Sequence, residues 1–124
     1  MEYINSTQIS HYKRFCKVLS LRADDSLISE YKKAHAPQNI WPEISQGMKS
    51  VGILYMEIYI SGTTLFMIMD TVPDFDHEKA MKELANKPRQ SEWEKYMSKF
   101  QNSLTDTSAA DKWICIERIF RMNE

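Results

Sequence analysis

The sequence predicts an α+β domain in which four strands form one sheet and helices cover one of its faces. Two observations lead to this prediction. Segments that alternate apolar and polar residues, as strands do, occur near both ends of the chain and in its middle. Segments with apolar residues at helical spacing separate them. The resulting order, strand, helix, strand, strand, helix, strand, is the ferredoxin-like split βαβ arrangement.

The first half of the chain predicts a strand and a helix that a proline ends. Residues 12–21 alternate loosely and are expected to form the first strand. Residues 24–26, Asp-Asp-Ser, supply an N-cap and a negative first turn for a helix that extends to His35. Pro37 must interrupt this helix, because proline lacks an amide hydrogen and clashes with the preceding turn. A second short helix is expected to restart near residues 39–42.

A hairpin is predicted in the middle of the chain, where residues 51–61 alternate between two faces. One face carries Leu54, Met56, Ile58 and Ile60, and the other carries Ile53, Tyr55, Glu57 and Tyr59. Gly62 permits a tight turn into a second strand at residues 65–69. The nearly unbroken apolar run of that strand predicts burial on both faces.

The second half predicts two further helices and a closing strand. Residues 73–76 cap a helix that ends at Pro88, and Ser91 begins the next helix. A polar loop is expected at residues 105–111. Residues 113–122 alternate again and are expected to form the last strand.

Length and charge describe one ordinary globular domain. Residues 11–124 are expected to form it, with residues 1–10 as an N-terminal extension. Sixteen basic and seventeen acidic side chains give a net charge of −1, so no nucleic-acid or anionic membrane partner is expected. No signal peptide is visible, and no apolar run reaches the ~20 residues of a membrane span, so a cytoplasmic location is expected.

The two cysteines, Cys16 and Cys115, lie far apart in the chain and lack Cys-x-x-Cys spacing. No metal site is therefore expected from them. We expect buried free thiols of a reducing compartment, and a disulfide between them is the alternative.

The sheet face that the helices leave open carries Tyr55 and Tyr59 and needs cover from another source. A second subunit is the economical supplier of that cover. The sequence therefore predicts a homodimer whose two sheets face each other, as in a dimeric α+β barrel.

The most informative segment of the chain spans residues 31–43. Residues four apart share a helix face, so Tyr31 and His35 are expected to project together. An imidazole held in a partly closed space is a candidate proton donor or acceptor near neutral pH. The alternative is an ordinary histidine at a helix end that binds the last carbonyl groups.

These residues resemble the L-rhamnose mutarotase family, small dimeric ferredoxin-like enzymes that interconvert the anomers of a 6-deoxy sugar. One motif is Tyr-x-x-x-His followed by Ile-Trp-Pro-Glu, here Tyr31, His35 and residues 40–43. A second motif is Trp-x-Lys-Tyr-Met, here residues 93–97. The resemblance extends over about residues 15–101, with a weaker match in the last strand.

The resemblance implies a cofactor-free enzyme whose substrate is a monosaccharide. By position in the motifs, His35 corresponds to the proton donor, and Tyr31 and Trp93 correspond to substrate contacts. Trp41 and Met56 would extend an apolar wall for the ring and methyl group of the sugar. Core packing is the alternative role for Tyr31, Trp93 and Trp41.

Three departures from the family pattern bear on the sugar. Two extra residues separate His35 from Trp41, Met56 replaces a tyrosine, and Glu94 replaces a second tryptophan. Since Met56 and Glu94 would line the sugar, L-fucose competes with L-rhamnose as the expected substrate. Glu94 has an alternative role, because Ser91 and Glu94 have the spacing of a capping box.

Mutarotation opens and recloses a pyranose ring, so it needs proton transfer and no cofactor. An imidazole with a pKa near ~6.5 suits this chemistry, and Glu57 and Asp70 are candidate carboxylate partners. A non-catalytic sugar-binding or sensing module on the same scaffold is one alternative function. A cofactor-free monooxygenase on a dimeric α+β barrel is another, although no residue pattern points to its substrate.

Overall fold

A computed structural model describes residues 11–102 and 112–122 of the chain. The elements are β1 (Lys13–Ser20), α1 (Asp25–Ala34), α2 (Pro42–Ser50), β2 (Ile53–Ser61), β3 (Thr64–Thr71), α3 (His77–Ala85), α4 (Gln90–Ser98) and β4 (Ile114–Ile116). The predicted extension at residues 1–10 and the predicted loop at 105–111 lie outside the described residues. In the described ranges, no helix has the length and apolar character needed to cross a bilayer.

The four strands form one antiparallel sheet in the order β2-β3-β1-β4. The hairpin β2–β3 therefore lies on one side of β1, and the last strand pairs with the other side, for example at Cys16 and Ile116. Together with the order of helices and strands, this topology confirms the predicted α+β, ferredoxin-like fold.

Helices α1, α2 and α3 begin where local chemistry favours the start of a helix. The Asp24 side chain accepts a hydrogen bond from the Leu27 amide at 3.0 Å, and the Asp76 side chain accepts one from the Lys79 amide at 3.1 Å. Pro42 takes the first position of α2, where its missing amide hydrogen costs nothing. These helices pack on one face of the sheet, which we call the inner face.

A β-bulge changes the faces predicted for the start of β2. The register passes from Ile53 opposite Thr71 to Tyr55 opposite Asp70, so Leu54 is an extra residue. Ile53 is therefore buried on the inner face, although strict alternation placed it with Tyr55. The prediction was wrong at this residue because a period-2 count does not allow for an inserted residue.

The opposite face, the outer face, is open and carries several exposed apolar side chains. Its exposed members are Tyr59, Phe66, Ile114 and Ile116. On β3, Met67 and Met69 are buried on the inner face, whereas Phe66 remains 38% exposed. The prediction that β3 is buried on both faces is thus wrong for the single chain.

The last strand is shorter than predicted. Only Ile114–Ile116 pair with β1, and Ile119 and Phe120 beyond them are exposed. The alternating pattern continues to residue 122. However, β4 pairs with β1 only at Cys16–Val18, so the paired part of β4 is three residues long. Cys115 is also exposed rather than buried, while Cys16 is partly buried, and both are free thiols.

Gly52 joins α2 to β2 in a conformation that other residues adopt only with strain. Its φ is 103°, and a Cβ at this position would lie 2.9 Å from Cγ2 of Val72. We expect Gly52→Ala to lower the free energy of unfolding by about 3 kcal/mol, through both backbone strain and crowding. Urea denaturation measures this loss.

Gly62 provides a matched control, because its φ of 61° is also positive but open space surrounds the position. Gly62→Ala should cost only the backbone strain, about 1 kcal/mol. Equal losses for the two variants would contradict the role of crowding at Gly52.

Candidate functional site

A cavity of about 300 Å³ lies between the inner face of the sheet and the helices. This volume is at the lower end of ligand pockets, which span ~300–1,000 Å³, and suits a molecule of monosaccharide size. Five of the six predicted site residues line it: Tyr31, His35, Met56, Trp93 and Glu94. Trp41 does not line this cavity.

His35 stands at the end of α1, one turn after Tyr31. Its backbone amide caps the helix on the Lys32 and Lys33 carbonyls, and Pro37 follows two residues later. Nδ1 of His35 lies 2.8 Å from the Tyr31 carbonyl oxygen, so Nδ1 carries the hydrogen and donates it. In the described part of the chain, no protein group binds Nε2. His35 therefore does bind a carbonyl group at the end of its helix, and this bond leaves Nε2 available as a proton acceptor.

The surroundings of His35 favour the neutral imidazole. Burial lowers the pKa of His35 below its ordinary 6.5, and the bond to the Tyr31 carbonyl opposes this only in part. The ring packs against Tyr31 with a centroid distance of 4.3 Å and against the edge of Trp93 at 5.3 Å. These contacts fix the orientation of the imidazole.

Trp41 packs behind the cavity wall. Its ring meets the edge of Trp93 at 5.1 Å and stacks on Tyr96 at 5.9 Å. The Arg89 guanidinium lies 4.0 Å from the centre of the Trp41 ring, a cation–π contact. Trp41 thus packs against Trp93, which also contacts His35, and this is the contact that the packing alternative for Trp41 expects.

Glu94 is held by groups from two parts of the chain. Gln90 Nε2 donates to Glu94 Oε2 at 2.7 Å, and Lys112 Nζ lies 3.8 Å from Oε1. Burial raises the pKa of Glu94, whereas Lys112 and the bond from Gln90 act in the opposite direction. The carboxyl group therefore holds a proton more readily than an exposed glutamate does.

The capping-box alternative for Glu94 is wrong. Helix α4 begins at Gln90, and its N-cap is Arg89, which has a φ of 62° and makes no side-chain cap bond. Ser91 thus lies inside the helix rather than at its cap. Because the helix starts earlier than the Ser91 signal suggests, the Glu94 side chain is available to the cavity.

Lys112 was not anticipated from the sequence. Its side chain is fully buried and donates to the Glu94 backbone oxygen at 2.9 Å and to Ser98 Oγ at 2.7 Å. No local pattern marks this contact, because Lys112 and Glu94 lie 18 positions apart in the chain.

The two predicted carboxylate partners of His35 lie on the other side of the sheet. Asp70 is fully buried and accepts two hydrogen bonds from Arg14, at 2.7 and 2.9 Å. Glu57 accepts a hydrogen bond from the Tyr59 hydroxyl at 2.6 Å. Neither residue lines the cavity, so among residues 11–102 and 112–122 Glu94 is the carboxyl group that shares it with His35.

Besides the exposed Ser45, three buried polar residues line the cavity and were missed from the sequence: Lys17, Gln90 and Gln101. Each is at most 2% exposed. Lys17 had a readable signal, because on β1 it alternates onto the same side as Leu19. Gln90 and Gln101 had no such signal in the sequence, since a polar residue near a helix end usually faces water.

Comparisons with known proteins show which family the chain resembles in sequence and fold. The family described as L-rhamnose mutarotase matches residues 14–122. The L-fucose mutarotase of Xanthomonas campestris pv. campestris is 36% identical over 112 residues, which cover 90% of this chain and 90% of that protein. The UPF0734 protein of Dictyostelium discoideum is 38% identical over 96 residues, covering 77% and 75%.

A solved structure has the same fold. The L-rhamnose mutarotase of Formosa agariphila superimposes with a TM-score of 0.67 at 24% sequence identity, and the match covers 89% of this chain and 98% of that one. At this identity the likeness supports the architecture of the sheet and helices.

Proposed function

Because the chain belongs to the L-rhamnose mutarotase family and is a sugar mutarotase, we propose that it interconverts the α and β anomers of a 6-deoxy-L-hexose pyranose, with L-fucose preferred to L-rhamnose. The observation that carries the catalytic proposal is the pairing of His35 and Glu94 in one cavity of monosaccharide size. The preference for L-fucose rests on the Xanthomonas relative and on the Met56 and Glu94 departures. The family does not favour a non-catalytic sugar-binding module.

The proposed reaction needs two proton transfers in each direction. His35 Nε2 accepts the proton of the anomeric hydroxyl while the Glu94 carboxyl donates a proton to the ring oxygen. The bond between the anomeric carbon and the ring oxygen then breaks, which gives the open-chain aldehyde. After the aldehyde carbon rotates to present its other face, both transfers reverse and the ring closes as the opposite anomer.

The environments of the two residues suit these roles. Burial lowers the pKa of His35 and raises the pKa of Glu94, so the imidazole tends to be the acceptor and the carboxyl the donor at the start. His35 then becomes the donor during ring closure. The family resemblance assigns a proton donor to this position, and the proposal gives His35 that role in the second half of the reaction.

Tyr31, Trp93 and Met56 would hold the sugar. Burial and the nearby Glu94 raise the pKa of Tyr31, so its hydroxyl stays protonated and can donate to an oxygen of the sugar. Trp93 and Met56 offer apolar surface to the C–H face of the ring and to the 6-methyl group.

We also propose a homodimer formed through the outer face of the sheet. Ile114 is 64% exposed and Tyr59 is 46% exposed, alongside Phe66 and Ile116 on the same face. A contiguous apolar surface of this kind marks an interaction site, and a second copy of the same sheet would cover it symmetrically.

The cellular location that we propose is the cytoplasm. Cys16 and Cys115 are free thiols, and one of them is exposed. Thiols persist in this form in a reducing compartment. They therefore favour the cytoplasm over an oxidising environment.

Removal of the His35 imidazole tests the catalytic assignment. We expect the wild-type protein to accelerate anomer exchange of freshly dissolved L-fucose, measured by NMR, and His35→Ala to lose about 10²–10⁴-fold of that acceleration. His35→Asn keeps an N–H near the Tyr31 carbonyl but lacks Nε2, so it should be equally inactive.

His11→Ala is the matched control, because His11 is exposed and lies outside the cavity. It should exchange anomers at the wild-type rate. Exchange that persists in a folded His35→Asn protein would refute the role of His35, and saturable sugar binding without faster exchange in the wild type would refute the mutarotase proposal.

The pH dependence of kcat/KM should have two limbs. As the pH falls from 6.5 through the lowered pKa of His35, the imidazole gains a proton and can no longer accept one, so activity is lost. As the pH rises from 4.5 through the raised pKa of Glu94, the carboxyl loses the proton that it must donate. Glu94→Gln should lower the rate and abolish the alkaline limb, and an unchanged limb would assign it to another group.

Light scattering after size-exclusion chromatography tests the dimer. The chain has a mass of 14.6 kDa, and we expect the wild type to run at twice that value. Phe66→Glu places a charge on the outer face and should give the monomer, because both copies would bury it. Ser29→Glu, on the exposed side of α1, should remain dimeric; a monomeric wild type would rule out the proposed assembly.

A further inference from the structure

Three buried polar side chains line the cavity beside His35 and Glu94 and have no part in the proton transfers. Lys17 is 1% exposed, and Gln90 and Gln101 are each 2% exposed. Within residues 11–102 and 112–122, no group donates a hydrogen bond to Oε1 of either glutamine. Buried acceptors of this kind lower stability unless a ligand satisfies them.

The orientation of the Gln90 amide follows from its neighbour. Its Nε2 donates to Oε2 of Glu94 at 2.7 Å, and Oε2 can accept this bond both in the carboxylate and in the carboxylic acid that carries its proton on Oε1. Gln90 therefore offers the cavity an acceptor, Oε1. A partner for that atom must bring an O–H or N–H group.

Lys17 adds a donor on the opposite wall. It lies in the middle of β1, between Met67 on β3 and Cys115 on β4, and its side chain lines the cavity. No carboxylate in the described part of the chain forms an ion pair with it. Because an unpaired amine is costly to bury, packing alone does not account for a lysine at this position.

We propose that Lys17, Gln90 and Gln101 form a specificity subsite that binds hydroxyl groups of the sugar away from its anomeric carbon. The proposal rests on the mutarotase function and names the groups that select the substrate. A hydroxyl donates to one partner and accepts from another, so it satisfies a glutamine Oε1 and the Lys17 amine together. A carboxylate or a fully ionised phosphate offers only hydrogen-bond acceptors. It would therefore leave Oε1 of Gln90 and Oε1 of Gln101 without a donor.

The subsite can distinguish sugar stereoisomers because the helix and strand that carry its polar groups hold them in fixed positions. Gln90 opens α4 one turn before Glu94, and Gln101 lies just beyond the end of that helix, where its backbone bridges to Leu21. L-Fucose and L-rhamnose differ in the configuration of two ring hydroxyls. A hydroxyl in the wrong configuration leaves a buried group unpaired, and discrimination follows from that loss.

Binding of methyl α-L-fucopyranoside tests the subsite separately from catalysis, because this glycoside cannot open its ring. We expect the wild type to bind it in an NMR titration, and Gln101→Leu and Lys17→Met each to weaken binding by about tenfold or more. The same variants should change the ratio of kcat/KM for L-fucose to that for L-rhamnose by about tenfold.

Gln46→Leu is the matched control, because Gln46 is an exposed glutamine on α2 and does not line the cavity. It should match the wild type in binding and in the ratio. If Gln101→Leu does not fold, Gln101→Asn withdraws the amide by one methylene and should weaken binding in the same direction.

The outcomes separate the two proposals. Unchanged glycoside binding and an unchanged ratio in folded Lys17 and Gln101 variants would overturn the subsite while the mutarotase function stands. A wild type that does not bind the glycoside would also overturn it. Binding that depends on Lys17 and Gln101, without faster exchange of free sugar, would support the subsite and refute the catalytic proposal.

Discussion

The need to satisfy polar groups buried between the sheet and the helices is the constraint on which this site depends. Each such group must find a partner or lower the stability of the folded chain. Glu94 meets the requirement through Gln90 and Lys112, and Lys112 also binds the backbone of the same helix. The contacts that satisfy the carboxyl group also hold it in place, so stability and orientation have one physical origin.

Local signals predicted the fold and the position of the histidine. Asp24 caps the first helix, Pro37 follows its end, and the four-residue spacing places Tyr31 and His35 at one cavity. These signals involve neighbours in the chain, for which propensity and sterics are decisive. The order of alternating and helical segments similarly sufficed for the topology of the sheet.

Features that depend on distant contacts were not predictable in this way. A helix that starts at Gln90, with Arg89 in the left-handed conformation, frees Glu94 from the cap that Ser91 suggested. Lys112 reaches the same helix from the far end of the chain. The bulge at Leu54 is a further case, because period-2 counting fails once a residue is inserted. The roles of individual site residues remain predictions.

Methionines from two strands and three helices form much of the cavity lining: Met48, Met56, Met67, Met69, Met81 and Met97. Unbranched thioether side chains change shape at low cost, so such a lining can adapt where a hydroxyl group and a hydrogen exchange places between two sugar stereoisomers. Exchanging one amide could then redirect the enzyme to another sugar without rebuilding its interior. Substrate preference in such a scaffold is free to diverge over evolutionary time while the proton-transfer residues stay where they are.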